Sequence, residues 1–181
     1  VGFFDFSILN YIHDNFQCGF LDTLMPVVSE LGNAGLIWIV IAGAFLIGRK
    51  NRMAGVAMLC ALVLDLFVCN IVLKPLVARI RPFDVNTAVQ LLIARPTDYS
   101  FPSGHTTAAF AATSALYFSR RRLWIPALAL AALIAFSRLY LYVHYPTDIL
   151  AGIVVGIGVG YLGWRAAETL SGSWKRRKNS K

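Results

Sequence analysis

The apolar positions of this chain gather into five long runs separated by short polar clusters. Their approximate bounds are Asn33 to Gly48, Met53 to Leu73, Pro102 to Ser119, Leu123 to Tyr142 and Pro146 to Trp164. Each is near the roughly 20 mostly apolar residues that carry an α-helix across a bilayer, the first being short enough to need the turn before it. Helical backbone is expected throughout, because lipid offers no partner to an unpaired N–H or C=O. Ahead of these runs, Phe3, Phe4, Ile8, Tyr11 and Ile12 mark an apolar face that Asp5, Asn10, His13 and Asp14 interrupt. That pattern predicts a helix lying in the membrane interface or packed beside the bundle. A second short helix is expected near Leu21 to Leu31, bent or broken at Pro26. The predicted fold is all-α: a polytopic transmembrane bundle of about five spanning helices, preceded by N-terminal helices. Residues 1–32 form the N-terminal part, 33–170 the transmembrane core and 171–181 a basic tail.

Composition agrees with this pattern. Hydrophobic residues make up 57% of the 181 positions and charged residues only 14%, against about a quarter charged in ordinary soluble domains. No cleavable signal peptide is expected, since no Lys or Arg occurs in the first 48 residues to form a basic leader. Cys18, Cys60 and Cys69 are an odd count with no metal-ligand spacing and no disulfide framework.

A net charge of +8 raises the question of nucleic acid, but the distribution argues against it. The aromatic residues lie inside the apolar runs and not among the basic clusters. Arg49, Lys50 and Arg52 follow the first run, and Arg120, Arg121 and Arg122 follow the third. Arg165, Lys175, Arg176, Arg177, Lys178 and Lys181 follow the fifth. Twelve of the 17 basic residues therefore fall on one side, which the positive-inside rule makes cytoplasmic. Lys74, Arg79, Arg81, Arg95 and Arg138 fall on the other. The expected location is a cytoplasmic membrane, with the candidate site facing outward and the tail inside.

Three clusters at the outer ends of the runs carry chemistry. Lys74 and Arg81, seven residues apart, can fold over one anion, the guanidinium as a planar fork and the ammonium as a compact charge. Alternatively, they are two residues snorkelling to lipid headgroups. Ser100, Phe101, Pro102, Ser103, Gly104 and His105 form one stretch that leads into the third run as an anion cradle, with Pro102 expected at the first helical position. The N–H groups of such a helix start form an anion site, which Gly104 lets an oxygen approach and to which the Ser103 hydroxyl adds a donor. His105 at its mouth can protonate a leaving oxygen. In the third cluster, Arg138 ends the fourth run, while His144 and Asp148 bracket the start of the fifth at i, i+4. A carboxylate on one imidazole nitrogen fixes the tautomer and frees the other nitrogen as a nucleophile. Each cluster alone also reads as an ordinary helix end. Together on one side of the membrane they point to a site that processes an anion.

These residues carry a family resemblance. Lys74 to Pro82 reads K-x6-R-P, Pro102 to His105 reads P-S-G-H, and Ser137 to Asp148 reads S-R-x5-H-x3-D. The chain resembles the type 2 phosphatidic acid phosphatase (PAP2) superfamily of membrane lipid phosphatases over about residues 20–170. The resemblance implies a helical bundle with a phosphatase site that needs no metal or other cofactor. It implies that His144 is the nucleophile forming a phosphohistidine, Asp148 its orienting partner and His105 the general acid. Lys74, Arg81, Ser103, the Gly104 N–H and Arg138 would hold the phosphate oxygens. The implied partners are a lipid phosphate and membrane lipids, with undecaprenyl diphosphate the first choice of substrate. Phosphatidylglycerophosphate and phosphatidate are competitors. A lipid phosphotransferase, a vanadate-binding haloperoxidase and a non-catalytic lipid-phosphate binder are the alternatives from other classes.

Outside the three signatures, Asp65, in the second run, is expected to make a structural hydrogen bond inside the bundle. Arg79 is expected at lipid headgroups, and Arg95 on a solvated face. Phe83 to Tyr99 forms a short covering loop over the site. Gly152, Gly156, Gly158 and Gly160 are expected to allow close helix packing.

Overall fold

The computed structural model of the protein describes residues 2–48 and 51–179, excluding the side chains of Phe3 and 172–179. Arg49, Lys50 and Lys181, which contribute to the expected orientation, lie outside the described residues. Among the described residues the chain is helical and has no strand. α1 (Phe3–Phe16) and α2 (Gly19–Leu31) lead through a 3-10 turn at Asn33–Gly35 into α3 (Leu36–Ile47). α4 (Arg52–Asp65) continues as a π-helical stretch, Leu66–Leu73, and then one more α turn, α5 (Lys74–Val77). The short α6 (Pro82–Val85) starts the covering loop, after which come α7 (Gly104–Phe118), α8 (Trp124–Tyr140) and α9 (Pro146–Asn179).

α7 is the axis of the bundle, with α4, α8 and α9 packed around it. Every residue from Thr106 to Leu116 is buried, and most are Ala, Ser or Thr, so neighbouring helices can approach from all sides. On α9, Gly156 and Gly160 touch α7 so closely that an added Cβ would lie 2.7 Å from Thr107 O and 2.6 Å from Ala111 O, respectively. Gly152 is also tight, with 3.1 Å left to Thr106 Cβ. Gly158 corrects the expectation: nothing lies within 4 Å of its Cβ direction. Two residues round the helix from Gly156, it points away from the seam that the i, i+4 glycines share.

Two helical stretches, Arg52–Val85 and Pro146–Ser171, are long and apolar enough to cross a membrane. A third crossing forms if the pair Gly19–Leu31 and Asn33–Ile47, bent by 47°, is one broken span. α8 is apolar but has only 17 residues, and α7 has 15. The remaining expected spans, α7 and α8, coincide with helices shorter than the roughly 20 residues of a full crossing. α7, enclosed by protein along most of its length, has little need of an apolar surface matched to lipid.

Two local expectations change. α2 runs through Pro26 without a break, and the chain bends instead at the next turn, where Ala34 (φ 48°) and Gly35 (φ 68°) are left-handed. Left-handed residues cannot propagate a right-handed helix. Likewise α7 begins at Gly104, with Ser103 as its N-cap, so Pro102 precedes the helix and does not open it. α1 lies beside the bundle: its Leu9 and Ile12 are buried in a cluster with Met25, Tyr140, Tyr142 and Tyr145.

Candidate active site

The candidate side chains come from helix ends and the turns between them. The π-helical stretch hands over to α5 at Lys74, a kind of irregularity that is frequent at functional sites. Ala78, at φ 48°, stops α5 and turns the chain so that Arg79 and Arg81 come back under it. Tyr142, at φ 59°, makes the corresponding turn between α8 and α9 and delivers Val143, His144 and Tyr145 into the protein. All three of these residues are buried.

Six predicted site residues line one cavity of about 900 Å³: Lys74, Arg81, Gly104, His105, Arg138 and His144. Arg81, only 3% exposed, donates from Nη1 to Val143 O at 2.7 Å and approaches His144 Nε2 at 3.3 Å. A guanidinium has no acceptor, so Nε2 must carry the lone pair and Nδ1 the proton. Nδ1 faces Asp148 Oδ2 at 3.5 Å, within ion-pair range but without a formed hydrogen bond. Burial first, then the charges of Arg81, Arg138 and Lys74, hold His144 well below the ordinary imidazole range, with Asp98 opposing them. The resting ring is therefore neutral, with Nε2 unprotonated.

Arg138 enters from the end of α8, buried, with Nη1 donating to Ser29 Oγ of α2 and Nε without a partner. Gly104 leaves room for Lys74: an added Cβ would sit 3.4 Å from Nζ. Gly32 backs His105 in the same way, with 3.0 Å to His105 Cδ2. Ser103 and Asp148 are fully buried behind the cavity and do not line it. The Ser103 hydroxyl accepts from Thr106 Oγ1 at 3.0 Å.

Three polar residues that the sequence patterns did not mark, Arg79, Asp5 and Asp98, join the site, and Ser100 joins it from the run ahead of α7. Arg79 is not at headgroups: it donates to Asp148 Oδ1 at 2.5 Å and to Asp5 Oδ2 at 2.6 Å. Its guanidinium lies 3.9 Å above the Tyr145 ring. The turn at Ala78 places it inward, where two buried carboxylates compensate its charge. Asp5, which looked like an interruption of the α1 apolar face, also accepts from Thr147 N at 3.1 Å at the start of α9. Ser100 donates to Asp148 Oδ2 at 2.5 Å, and Tyr145 N donates to the same oxygen at 2.9 Å.

Asp98, in the covering loop, contacts both front cations. Lys74 Nζ donates to its Oδ2, and Arg81 Nη2 donates to its Oδ1 at 2.6 Å. Burial pushes this carboxyl up, but the Lys74 and Arg81 charges and hydrogen bonds outweigh burial and hold it well below the usual carboxylate range. Asp65 is buried on the cavity wall with Oδ1 lacking a partner, so the structural bond expected there is not made at that atom. Arg95 is exposed as expected and pairs with Asp84 at 2.7 Å.

Away from the cations the cavity wall turns apolar, through Ile39, Leu59, Leu62, Val63 and Leu66 of α3, α4 and the π-helical stretch. Fold and cavity together describe a membrane protein with a cationic cavity at converging helix ends, next to a neutral, oriented imidazole. The PAP2 superfamily model matches residues 54–171, more than half of the chain. An undecaprenyl-diphosphatase of Sulfolobus acidocaldarius is 33% identical over 87% of this chain and 74% of its own length. One from Bacillus subtilis is 34% identical over 83% and 77%. Among solved structures, a transmembrane PAP2 type phosphatidylglycerolphosphate phosphatase from Bacillus subtilis superposes with a TM-score of 0.73. It has 27% identity and covers 91% of this chain and 85% of that one. The chain belongs to the PAP2 superfamily and is a membrane lipid phosphatase.

Proposed function

We propose that the protein removes the terminal phosphate of a lipid diphosphate at the outer membrane face, with undecaprenyl diphosphate going to undecaprenyl phosphate. The observation that carries this reading is His144: a buried neutral ring with Nε2 toward the cationic cavity and Nδ1 toward Asp148. Nε2 attacks the terminal phosphorus as its bond to the bridging oxygen breaks, and His105 gives a proton to that oxygen, which leaves on the lipid monophosphate. Water then cleaves the N–P bond and leaves inorganic phosphate. Lys74, Arg81, Arg138 and the start of α7 stabilise the oxygens, and such charge placement supplies most of what phosphoryl transfer needs. The hydrophobic part of the cavity suits the first units of a lipid chain.

The two diphosphatase relatives support the choice of substrate, and the solved neighbour keeps phosphatidylglycerophosphate as the second reading. In this reading α3, α4 with its continuation, α7, α8 and α9 are the five crossings. The basic connections and residues 171–181 lie in the cytoplasm, and residues 1–32 cover the outer end. The test is phosphate release by the detergent-solubilised protein from the three candidate lipids in EDTA, with His144→Ala beside it. Release that is lost in the variant is expected, together with acid-labile labelling of the wild-type protein alone. Equal labelling of His144→Ala, or a strict Mg²⁺ requirement, would refute the mechanism.

A further inference from the structure

The two cations at the front of the cavity already hold an anion supplied by the chain. Asp98 places one carboxylate oxygen on Lys74 and the other on Arg81, as one edge of a phosphate would be held. The exposures set their arrangement. Lys74 and Arg81 side chains are 10% and 4% exposed, whereas that of Asp98 is 49% exposed. The carboxylate thus lies on the solvent side of the cations, where an arriving ligand must come in. Its backbone has a separate anchor, since Arg81 Nε donates to Asp98 O at 2.8 Å. Rotation of one side chain therefore vacates the position without opening the loop.

We propose that Asp98 is an internal competitor for the phosphate position, displaced by substrate and returning to expel inorganic phosphate after hydrolysis. The inference rests on the reading of Lys74 and Arg81 as phosphate-binding residues. A lipid phosphate overcomes the competitor because it brings a third oxygen toward Arg138 and Gly104 and a chain that lies on Ile39, Leu59 and Leu62. Inorganic phosphate has no chain, so the returning carboxylate acts on it without opposition from apolar burial. Asp98 accordingly keeps product affinity low while leaving a tailed substrate able to bind, which makes it a selectivity residue for this reaction.

Calorimetric titration of the purified protein with inorganic phosphate tests this, using wild type, Asp98→Asn, Asp98→Ala and Arg81→Ala. Both Asp98 variants keep the backbone anchor, and thermal melts establish that they fold. Both are expected to bind phosphate about tenfold tighter than wild type, the effect of roughly one charge-assisted hydrogen bond freed. Phosphate should also inhibit lipid phosphate hydrolysis at correspondingly lower concentration. Folded Asp98 variants that bind phosphate no tighter than wild type, while Arg81→Ala weakens it, would overturn the competitor role and leave the site assignment standing. Phosphate binding unchanged by Arg81→Ala, or absent in every protein including the Asp98 variants, would remove the site assignment and the competitor role together.

Discussion

Replacing Arg79 with methionine tests whether the buried charge chain behind His144 matters as the geometry requires. The substitution keeps an apolar stem over the Tyr145 ring and removes the guanidinium that bonds both Asp5 and Asp148. These acids are 3% and 0% exposed. Taking one partner from a buried ion pair costs about 3–5 kcal/mol, because the other charge is left uncompensated. The lower end applies here: Arg79 is itself 17% exposed, and Asp148 keeps its bonds from Ser100 and Tyr145 N. For a chain of this size about 3 kcal/mol corresponds to a Tm lower by roughly 6–12 °C. Activity should fall as well. With Oδ1 released, the Asp148 carboxylate can turn about the Oδ2 bonds from Ser100 and Tyr145 N and shift against His144 Nδ1, and a displacement of about 1 Å at such a group is worth about 100-fold in kcat. KM should stay within about twofold, an expectation set by the absence of Arg79 from the cavity lining. Adding Asp5→Asn removes one of the two stranded charges, so the double variant should regain part of the Tm and none of the kcat. A folded Arg79→Met protein with wild-type Tm and kcat, or a double variant no more stable than the single, refutes the reasoning.

The helix seam and the imidazole provide two more tests. Gly160→Ala forces a Cβ to within 2.6 Å of both Ala111 O and Ser114 Cβ and should destabilise by about 1–3 kcal/mol. Gly158→Ala, with open space, should be neutral, and equal Tm values for the two variants would contradict the packing. The His144 pKa is depressed by folding, so the unfolded chain binds a proton there before the folded one does, and stability falls as pH drops below about 6.5. The Tm of the wild type should decline between pH 7 and 5 more steeply than that of His144→Gln. Parallel slopes would show that the ring is not buried neutral. Asp98 acts in a lower window: its depressed pKa stabilises the protein above about pH 3.9, and that contribution is lost on further acidification.

Much of the site was legible in the sequence because its residues sit at fixed spacings beside helix ends. Lys74 and Arg81, the Ser103–His105 turn, and His144 with Asp148 each lie within one short segment. Local geometry alone therefore constrains where they point. Arg79 and Asp5 were not legible, nor was the bond that Ser100 makes, for the opposite reason. The partners of Arg79 lie 69 and 74 residues away, and Ser100 reaches 48 residues to Asp148. Nothing in the pattern around Arg79 separates an inward arginine from a snorkelling one; the left-handed Ala78 decides it. Asp5 had a visible signal, an acid on an otherwise apolar face, but periodicity alone could not say that the face packs on the α9 start. Helix α7 misled by length: its apolar run continues back through Pro102, whereas the helix itself starts at Gly104.

Two aspartates pair with Lys74, Arg79 and Arg81, and their surroundings give them opposite roles. Asp148 is fully buried, receives Ser100, Tyr145 N and Arg79, and faces only protein. Its charge is fixed on every side, which suits the orienting role proposed for it beside His144. Asp98 has two cation contacts and roughly half of its side chain in solvent. Water can take over its solvation when it turns away, so exchanging it for a phosphate does not strand a charge. A buried carboxylate at that position would bind Lys74 and Arg81 as well, but could not leave. Partial exposure is thus what makes the Lys74 and Arg81 pair usable: the cations remain compensated while the cavity is empty, and they remain available to a ligand that can displace the acid.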